Sequence, residues 1–273
     1  MKIKEILKEE PNIDINIKKL VLFKLLNVNN SLLILKSDEE LSTKLLKTYK
    51  KIINKYKTGK PIQYILKESY FLGNKFYVDK NVLIPRPETE YLVTKTNELI
   101  KKHLKENIKI VDIGTGSGII AITLKNIDNN YDVTATDICK KALKVAQKNA
   151  KIHNACIKFI KGDMLKPLKE QYNVLISNPP YIPYNSENVE DIVKNNEPKK
   201  ALYAKNNGLY YYEEILKNAN KILNKNNIIA FETGENEHDE IIKIVNKYFE
   251  NAEIIKEKDL NGLERYVFII NKD

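Results

Sequence analysis

From residue 108 onward, short apolar segments alternate with helical segments, and this alternation constrains the fold more than any other feature of the chain. The apolar segments are rich in β-branched residues and occupy residues 108–113, 131–136, 156–160, 173–177, 227–232 and 264–270. Residues 140–152 and 209–223 are typical of the helical segments between them. Because strands that alternate with helices form a mostly parallel sheet with both faces covered, the sequence predicts an α/β fold.

The end of the chain is an expected exception to the parallel arrangement. Apolar segments near 251–257 and 264–270 are joined through Asn261 and Gly262. Asn-Gly is a strong signal for a β-hairpin turn, so the last strand is expected to run antiparallel to its neighbour.

The first part of the chain has a helical pattern instead. Between Leu41 and Tyr56, apolar residues recur at three- and four-residue steps. Residues 37–40, Ser-Asp-Glu-Glu, have the form of a capping box, so Ser37 is expected to begin that helix, and Gly59 to end it. The aromatic segment 70–78, interrupted by Gly-Asn, predicts a small β-hairpin after the helical region.

A glycine-rich loop connects the strand at 108–113 to the next helix. This glycine loop comprises Gly114, Thr115, Gly116, Ser117 and Gly118. Its backbone N–H groups and the positive end of the helix can approach a ligand closely. Residues 116–121 also fit the dinucleotide pattern G-x-G-x-x-A, so a nicotinamide cofactor remains a competing hypothesis. Asp112 and the three alternating glycines favour S-adenosylmethionine, which combines a cationic sulfonium with a small carboxylate.

Two acidic positions follow the next two strands. Asp137 lies at the end of the second strand, where a carboxylate can accept hydrogen bonds from both hydroxyls of a ribose. Asp163 and Met164 follow the third strand and could contact an adenine ring. A loop acid without a ligand is an equally good interpretation of that pair.

The most specific feature is Asn178-Pro179-Pro180-Tyr181, which follows the strand at 173–177 and is called the Asn-Pro-Pro-Tyr loop below. A planar NH₂ group offers two N–H donors in one plane. The side-chain oxygen of Asn178 and the carbonyl of Pro179 can accept one each, and the prolines fix the direction of both acceptors. Tyr181 is expected to supply a flat surface for stacking. The loop therefore predicts methyl transfer to a planar nitrogen.

The rest of the composition excludes several classes. No apolar run reaches 18 residues, so no membrane span is predicted, and the chain begins without an apolar signal segment. Cys139 and Cys156 lack metal-ligand spacing, which favours reduced thiols in a cytoplasmic protein without a metal.

The three histidines are predicted to be surface residues. The net charge of +10 fits either a phosphate-rich partner or a chain-wide bias towards lysine.

With both loops identified, the chain resembles the protein-(glutamine-N5) methyltransferases that modify peptide chain release factors. The resemblance covers nearly the full length and rests most strongly on residues 85–90, Pro-Arg-Pro-Glu-Thr-Glu. Further matching segments are 59–65, 71–73, 82–84, 112–118, 178–181, 197–202, 208–209 and 259–265.

The resemblance implies a seven-stranded Rossmann-like catalytic domain at 85–273, a β-hairpin linker at 67–84 and a helical docking domain for the release factor at 1–66. It implies S-adenosylmethionine contacts at the glycine loop, Asp137, Asp163, Met164 and Asn178. It also implies that the glutamine of a Gly-Gly-Gln motif is the methyl acceptor. Residues 231–237 resemble a family segment that usually ends in glutamine; Glu237 stands there instead and receives no predicted role.

Three alternatives remain at this point. The Asn-Pro-Pro-Tyr loop would serve an exocyclic amine of a flipped adenine or cytosine equally well. A catalytically inactive binding module and a nicotinamide dehydrogenase are the others. The N-terminal resemblance and the intact loop favour the glutamine methyltransferase, acting as a cytoplasmic monomer on a protein substrate without binding nucleic acid directly.

Overall fold

The computed structural model describes residues 1–272, and the chain divides into two compact units. One unit consists of residues 1–68 and 191–196, and the other of residues 69–190 and the chain from 197 onward. The helices, in chain order, are α1 (Ile3–Lys8), α2 (Ile15–Leu26), α3 (Asn30–Leu35), α4 (Thr43–Lys57), α5 (Ile62–Leu66), α6 (Glu88–His103), α7 (Ile119–Ile127), α8 (Lys140–Ile152), α9 (Asp191–Asn196), α10 (Lys199–Leu202), α11 (Tyr210–Ala219) and α12 (His238–Tyr248). The strands are β1 (Ser69–Phe71), β2 (Asn74–Phe76), β3 (Lys109–Ile113), β4 (Asp132–Asp137), β5 (Lys158–Lys161), β6 (Tyr172–Ser177), β7 (Ile182–Pro183), β8 (Tyr203–Ala204), β9 (Leu223–Glu232), β10 (Glu253–Lys258) and β11 (Glu264–Asn271).

The first unit is helical, as its apolar periodicity predicts. Val21 and Leu22 of α2 pack with Tyr49 and Ile53 of α4 in a separate apolar core. The helix α4 ends at Lys57, and Gly59 follows with a φ of 82°, which agrees with the predicted stop.

The predicted capping box at residues 37–40 is wrong. The helix α4 begins later, and Ser42 is its N-cap, with the side chain of Ser42 accepting from the Leu45 N–H at 3.4 Å. The Ser37 and Glu39 carbonyls instead accept hydrogen bonds from the backbone of Lys4 and Ile3. These long-range bonds hold the segment as a turn against the first residues of the chain, which a local capping pattern cannot reveal.

The second unit is built on a seven-stranded sheet in the order β10-β11-β9-β6-β3-β4-β5. The pairs between β9 and β5 along this order are parallel, whereas β11 runs antiparallel to both β9 and β10. The predicted α/β class and the antiparallel last strand are therefore confirmed.

Both faces of the sheet are buried, which explains why its central strands contain continuous apolar runs, such as 174–176 and 228–231, instead of alternating. Ile110 and Val174 belong to one core cluster with residues of α6 and α7. Their chain neighbours Val111 and Leu175 belong to the other cluster with residues of α11 and α12. Successive side chains of a strand point to opposite faces, so the helices cover the sheet from both sides.

The predicted β-hairpin is present as β1 and β2, which pair antiparallel. Its two phenylalanines, Phe71 and Phe76, are buried in the core cluster of α6 and α7. The hairpin therefore belongs to the compact unit of the sheet.

One histidine contradicts the prediction of surface histidines. His238, the first residue of α12, is buried and lies 3.8 Å from the carboxylate of Glu264, and burial lowers its pKa. The polar sequence around His238 predicts exposure, but the first turn of α12 packs against β11 and buries the side chain. No helix within residues 1–272 has the length and apolar character needed to cross a bilayer.

Candidate functional site

The carboxyl ends of three neighbouring parallel strands, β4, β3 and β6, meet at one edge of the sheet. The N–H groups of Gly114 and Thr115 both donate to the carbonyl of Thr136, each at 2.9 Å. The hydroxyl of Ser177 donates to the carbonyl of Ile113 at 2.7 Å. These bonds fix the strand ends that carry the predicted site residues.

A cavity of about 290 Å³ opens at this edge. It is lined by most of the predicted site residues, namely Gly114, Gly116, Asp137, Asp163, Met164, Asn178, Pro179 and Pro180. Ligands of open α/β sheets bind at this position, outside the carboxyl ends of the strands.

The glycine loop turns sharply so that α7 can begin directly behind it. Gly114, Gly116 and Gly118 have φ values of 74°, 55° and 85°, which other residues rarely adopt. A side chain at Gly114 would meet no atom within 4 Å, so the backbone there borders open space. The loop thus presents bare backbone to the cavity at the N-terminal end of a helix.

The other loop residues hold the loop together. The Thr115 hydroxyl donates to Asp112 Oδ2 at 2.6 Å, and the Ser117 carbonyl accepts from the side chain of Asn149 at 2.8 Å. Asp112 is fully buried at the end of β3, and burial raises its pKa to about 7 although Thr115 and the Ala121 backbone donate to it. The loop conformation therefore depends on Asp112 and Asn149 behind it.

The carboxylate of Asp137 accepts two hydrogen bonds from the protein backbone. Its Oδ2 accepts from the Gly116 N–H at 3.0 Å and its Oδ1 from the Cys139 N–H at 2.7 Å. A carboxylate has about four acceptor positions, so two remain for a ligand in the cavity. Burial raises the pKa of Asp137, and the two backbone donors oppose this by stabilising the charged form.

Asp163 and Met164 form the cavity wall after β5. Met164 has a φ of 47°, and its carbonyl accepts from the Thr136 hydroxyl at 3.4 Å. The carboxylate of Asp163 pairs with Lys166. Val82, Leu83 and Ala142 add apolar surface to the same cavity.

Asn178 is held by its amide nitrogen. Nδ2 donates to Thr89 Oγ1 at 3.1 Å, and the Thr89 hydroxyl donates to Glu232 Oε2 at 2.6 Å. Within residues 1–272, neither Asn178 Oδ1 nor the Pro179 carbonyl accepts a hydrogen bond. Both oxygens belong to cavity-lining residues, so the loop retains two unused acceptors there.

Tyr181, the last residue of the Asn-Pro-Pro-Tyr loop, is not among the residues that line the cavity; it packs against the core cluster of α11 and α12. The flat stacking surface expected from the sequence is therefore not placed at the cavity wall. A Cβ at Gly208 would come within 2.4 Å of the Tyr181 carbonyl and 2.3 Å of Glu237 Oε1. Only glycine fits at this contact, and its φ of 98° also favours glycine. Glu237 is itself buried, accepts from the Gly234 N–H at 2.8 Å, and has its pKa raised to about 7 by burial.

Several residues of this site were not predicted from the sequence. Thr89, Glu232, Asn149 and Gly208 support the two loops from distant parts of the chain. Thr89 lies in the segment 85–90, where the family resemblance implies no role for any single residue. The sequence signal for Glu232 is a charged residue directly after the apolar run 228–231.

The residues of the cavity fit S-adenosylmethionine. The glycine backbone leaves room for the methionyl end of the cofactor, and the positive end of α7 favours its carboxylate. The free acceptor positions of Asp137 suit ribose hydroxyls, and apolar wall residues suit an adenine ring. No cluster of three metal-ligating side chains occurs in the part of the chain that the structure describes.

Two family models match the chain. The PrmC N-terminal domain matches residues 2–66, and the Methyltransferase small domain matches residues 92–197. A release factor glutamine methyltransferase from Bacillus cereus is 36% identical over 265 residues, which cover 95% of this chain and 94% of that relative.

Solved structures share the fold at low sequence identity. A methyltransferase from Pyrococcus furiosus has a TM-score of 0.53 and 17% identity, with 82% of this chain and 98% of that chain covered. A 16S rRNA N2 G1207 methyltransferase from T. thermophilus, solved with AdoMet and guanosine, has a TM-score of 0.55 and 13% identity. The match covers 75% of this chain and 50% of that chain.

Proposed function

The chain belongs to the release factor glutamine methyltransferase family, and we propose that it transfers a methyl group from S-adenosylmethionine to the side-chain amide nitrogen of the Gly-Gly-Gln glutamine in a peptide chain release factor. The observation that carries this proposal is the pair of unused acceptors, Asn178 Oδ1 and the Pro179 carbonyl, beside the cavity of the glycine loop. The pair matches the two N–H donors of a primary amide.

The cofactor half of the cavity has three proposed contacts. The glycine loop binds the carboxylate of the cofactor, Asp137 binds the ribose, and Asp163 with Met164 borders the adenine. Bound there, S-adenosylmethionine would supply a methyl group to the amide nitrogen; the electron pair of the broken carbon–sulfur bond would stay on sulfur, and the proton displaced from the nitrogen would pass to solvent water.

The Asn-Pro-Pro-Tyr loop performs the positioning. Asn178 Oδ1 and the Pro179 carbonyl hold the two N–H groups, so that the nitrogen faces the methyl group in a fixed orientation. As the nitrogen gains positive charge, its N–H groups become stronger donors, and both acceptors bind the transition state more tightly than the ground state. Tyr181 fixes the end of the loop by packing against the core cluster of α11 and α12.

The test is a methyl-transfer assay with labelled S-adenosylmethionine, in which a purified release factor and duplex DNA are offered separately. Label on the release factor, lost when the Gly-Gly-Gln glutamine is replaced by alanine, supports the proposal. Label on the DNA would overturn it in favour of a base amine, which the same loop could hold.

A further inference from the structure

Asn178 can serve as an acceptor only if its amide has one of two possible orientations. An asparagine side chain rotated by 180° exchanges Oδ1 and Nδ2 with almost no change of shape. In the rotated form an NH₂ group would face the substrate amide, and two donors would repel each other. Something in the protein must therefore select the orientation.

The side chains behind Asn178 form a directed chain of hydrogen bonds. Glu232, at the end of β9, is 1% exposed, and its carboxylate can only accept when it is ionised. Thr89, which is 2% exposed, has a single hydroxyl proton and donates it to Glu232 Oε2 at 2.6 Å. The Thr89 oxygen is then left as an acceptor and faces Asn178 Nδ2 at 3.1 Å.

The geometry points to Thr89 and Glu232 as positioning residues that set the orientation of the Asn178 amide, and thereby aim its oxygen at the substrate nitrogen. This inference rests on the proposed function. Neither residue touches the substrate; both act through Asn178. A hydroxyl at position 89 and an ionised carboxylate at position 232 are both required. If the hydroxyl is removed, or if the carboxylate is protonated, the side-chain oxygen of Asn178 is free to turn inward.

The charge state of Glu232 depends on several groups that face it. Burial raises its pKa to about 7, whereas the hydrogen bond from Thr89, the charge of Arg265 on β11 and the Asn178 amide lower it. Glu88 on α6 raises it further. The phenols of Tyr181, Tyr212 and Tyr266 also lie near enough to interact with it. When protonated, Glu232 can donate to Thr89, and the selection of one orientation is lost.

The experiment compares Thr89→Val with Thr89→Ser, assayed above the pKa of Glu232. Valine keeps the shape and removes the hydroxyl, and we expect the kcat for methyl transfer to fall about 10- to 100-fold, with unchanged S-adenosylmethionine affinity. Serine keeps the hydroxyl and should restore most of the rate. The matched control is Thr96→Val on the same helix, which removes a buried hydroxyl bonded only to the Leu92 carbonyl and should leave kcat unchanged.

A double-mutant cycle separates positioning from general destabilisation. If Thr89 acts through Asn178, Thr89→Val should cause no further loss of rate in an Asn178→Ala background. Additive losses, or a Thr89→Val rate equal to that of the wild type, would overturn the inference. Inactivity of the wild-type protein on the release factor would instead refute the proposed function, so the two failures are distinguishable.

Glu232→Gln supplies the second readout. A glutamine can donate to Thr89, so we expect a lower kcat above pH 7 and loss of the decline that the wild type shows as the pH falls through about 7. A variant with the same pH profile as the wild type would contradict the role of the Glu232 charge.

Discussion

The glycine loop and the Asn-Pro-Pro-Tyr loop lie at the ends of adjacent parallel strands, but the residues that hold them lie at different distances along the chain. The partners of the glycine loop lie within 32 residues of it: Thr115 bonds to Asp112 at a separation of 3 residues, Gly116 to Asp137 at 21, and Ser117 to Asn149 at 32. Asn178 is held by Thr89, which is 89 residues away in sequence, and Thr89 is held by Glu232, which is 143 residues away from Thr89. Both loops therefore depend on tertiary contacts, but those of the Asn-Pro-Pro-Tyr loop come from more distant parts of the chain.

This difference predicts a separation of effects. Changes around the glycine loop should alter cofactor affinity, because that loop only needs to bind. Changes around the Asn-Pro-Pro-Tyr loop should alter the rate at saturation, because positioning of the nitrogen matters most in the transition state.

The largest effect is expected for Asn178→Ala. Removal of one of two acceptors should lower kcat by about 10²–10³-fold, the range observed when one preorganised hydrogen-bonding group is removed from an active site. The dissociation constant for S-adenosylmethionine, measured by calorimetry, should be nearly unchanged. A variant with normal turnover would exclude Asn178 as an acceptor for the reacting amide.

Asp137→Ala should act in the opposite way. Loss of a charged acceptor should weaken cofactor binding by about 10- to 100-fold, equivalent to about 1.5–3 kcal/mol. At saturating cofactor, kcat should remain close to that of the wild type. If calorimetry gives equal dissociation constants for the two proteins, Asp137 does not bind the ribose.

Gly208→Ala tests the support behind Tyr181. The added Cβ would collide with the Tyr181 carbonyl and Glu237 Oε1, so the loop must shift, and we expect kcat to fall about 10-fold. Gly262→Ala is the control, since Gly262 also has a positive φ, 79°, but its Cβ would meet no atom within 4 Å. Equal kcat values for the two variants would show that backbone strain alone, and not the collision with Tyr181 and Glu237, accounts for any loss of rate.

A further prediction concerns the pH dependence of stability and not the reaction rate. Burial raises the pKa of Asp112 from 3.8 to about 7, so the folded protein favours its neutral form. The stability contributed by that form is complete below pH 3.8 and is lost as the pH rises to about 7. The slope is at most about 1.4 kcal/mol per pH unit.

Asp112→Asn mimics the neutral form and should remove this part of the pH dependence. Urea unfolding at about pH 5 and about pH 8 should therefore show a smaller loss of stability for the variant than for the wild type. Identical losses would mean that Asp112 stays ionised when buried.

The same contrast explains how far the sequence could be interpreted. The α/β class, the antiparallel last strand and the hairpin follow from periodicity and turn signals, which are local. Thr89 and Glu232 could not be assigned roles, because their partner is brought to them only by the pairing of β9 with β6 and the packing of α6 on the sheet. His238 was mispredicted for a related reason, since burial of a polar segment depends on what packs against it.

In the proposed reaction, methyl transfer occurs at a glutamine amide held by the Asn-Pro-Pro-Tyr loop. Tandem mass spectrometry of a release factor treated with the wild-type protein or with Asn178→Ala tests this most directly. We expect one added methyl group on the side-chain nitrogen of the Gly-Gly-Gln glutamine, formed by the wild type and almost absent with the variant. A methyl group on any other atom, or equal methylation by both proteins, would contradict it.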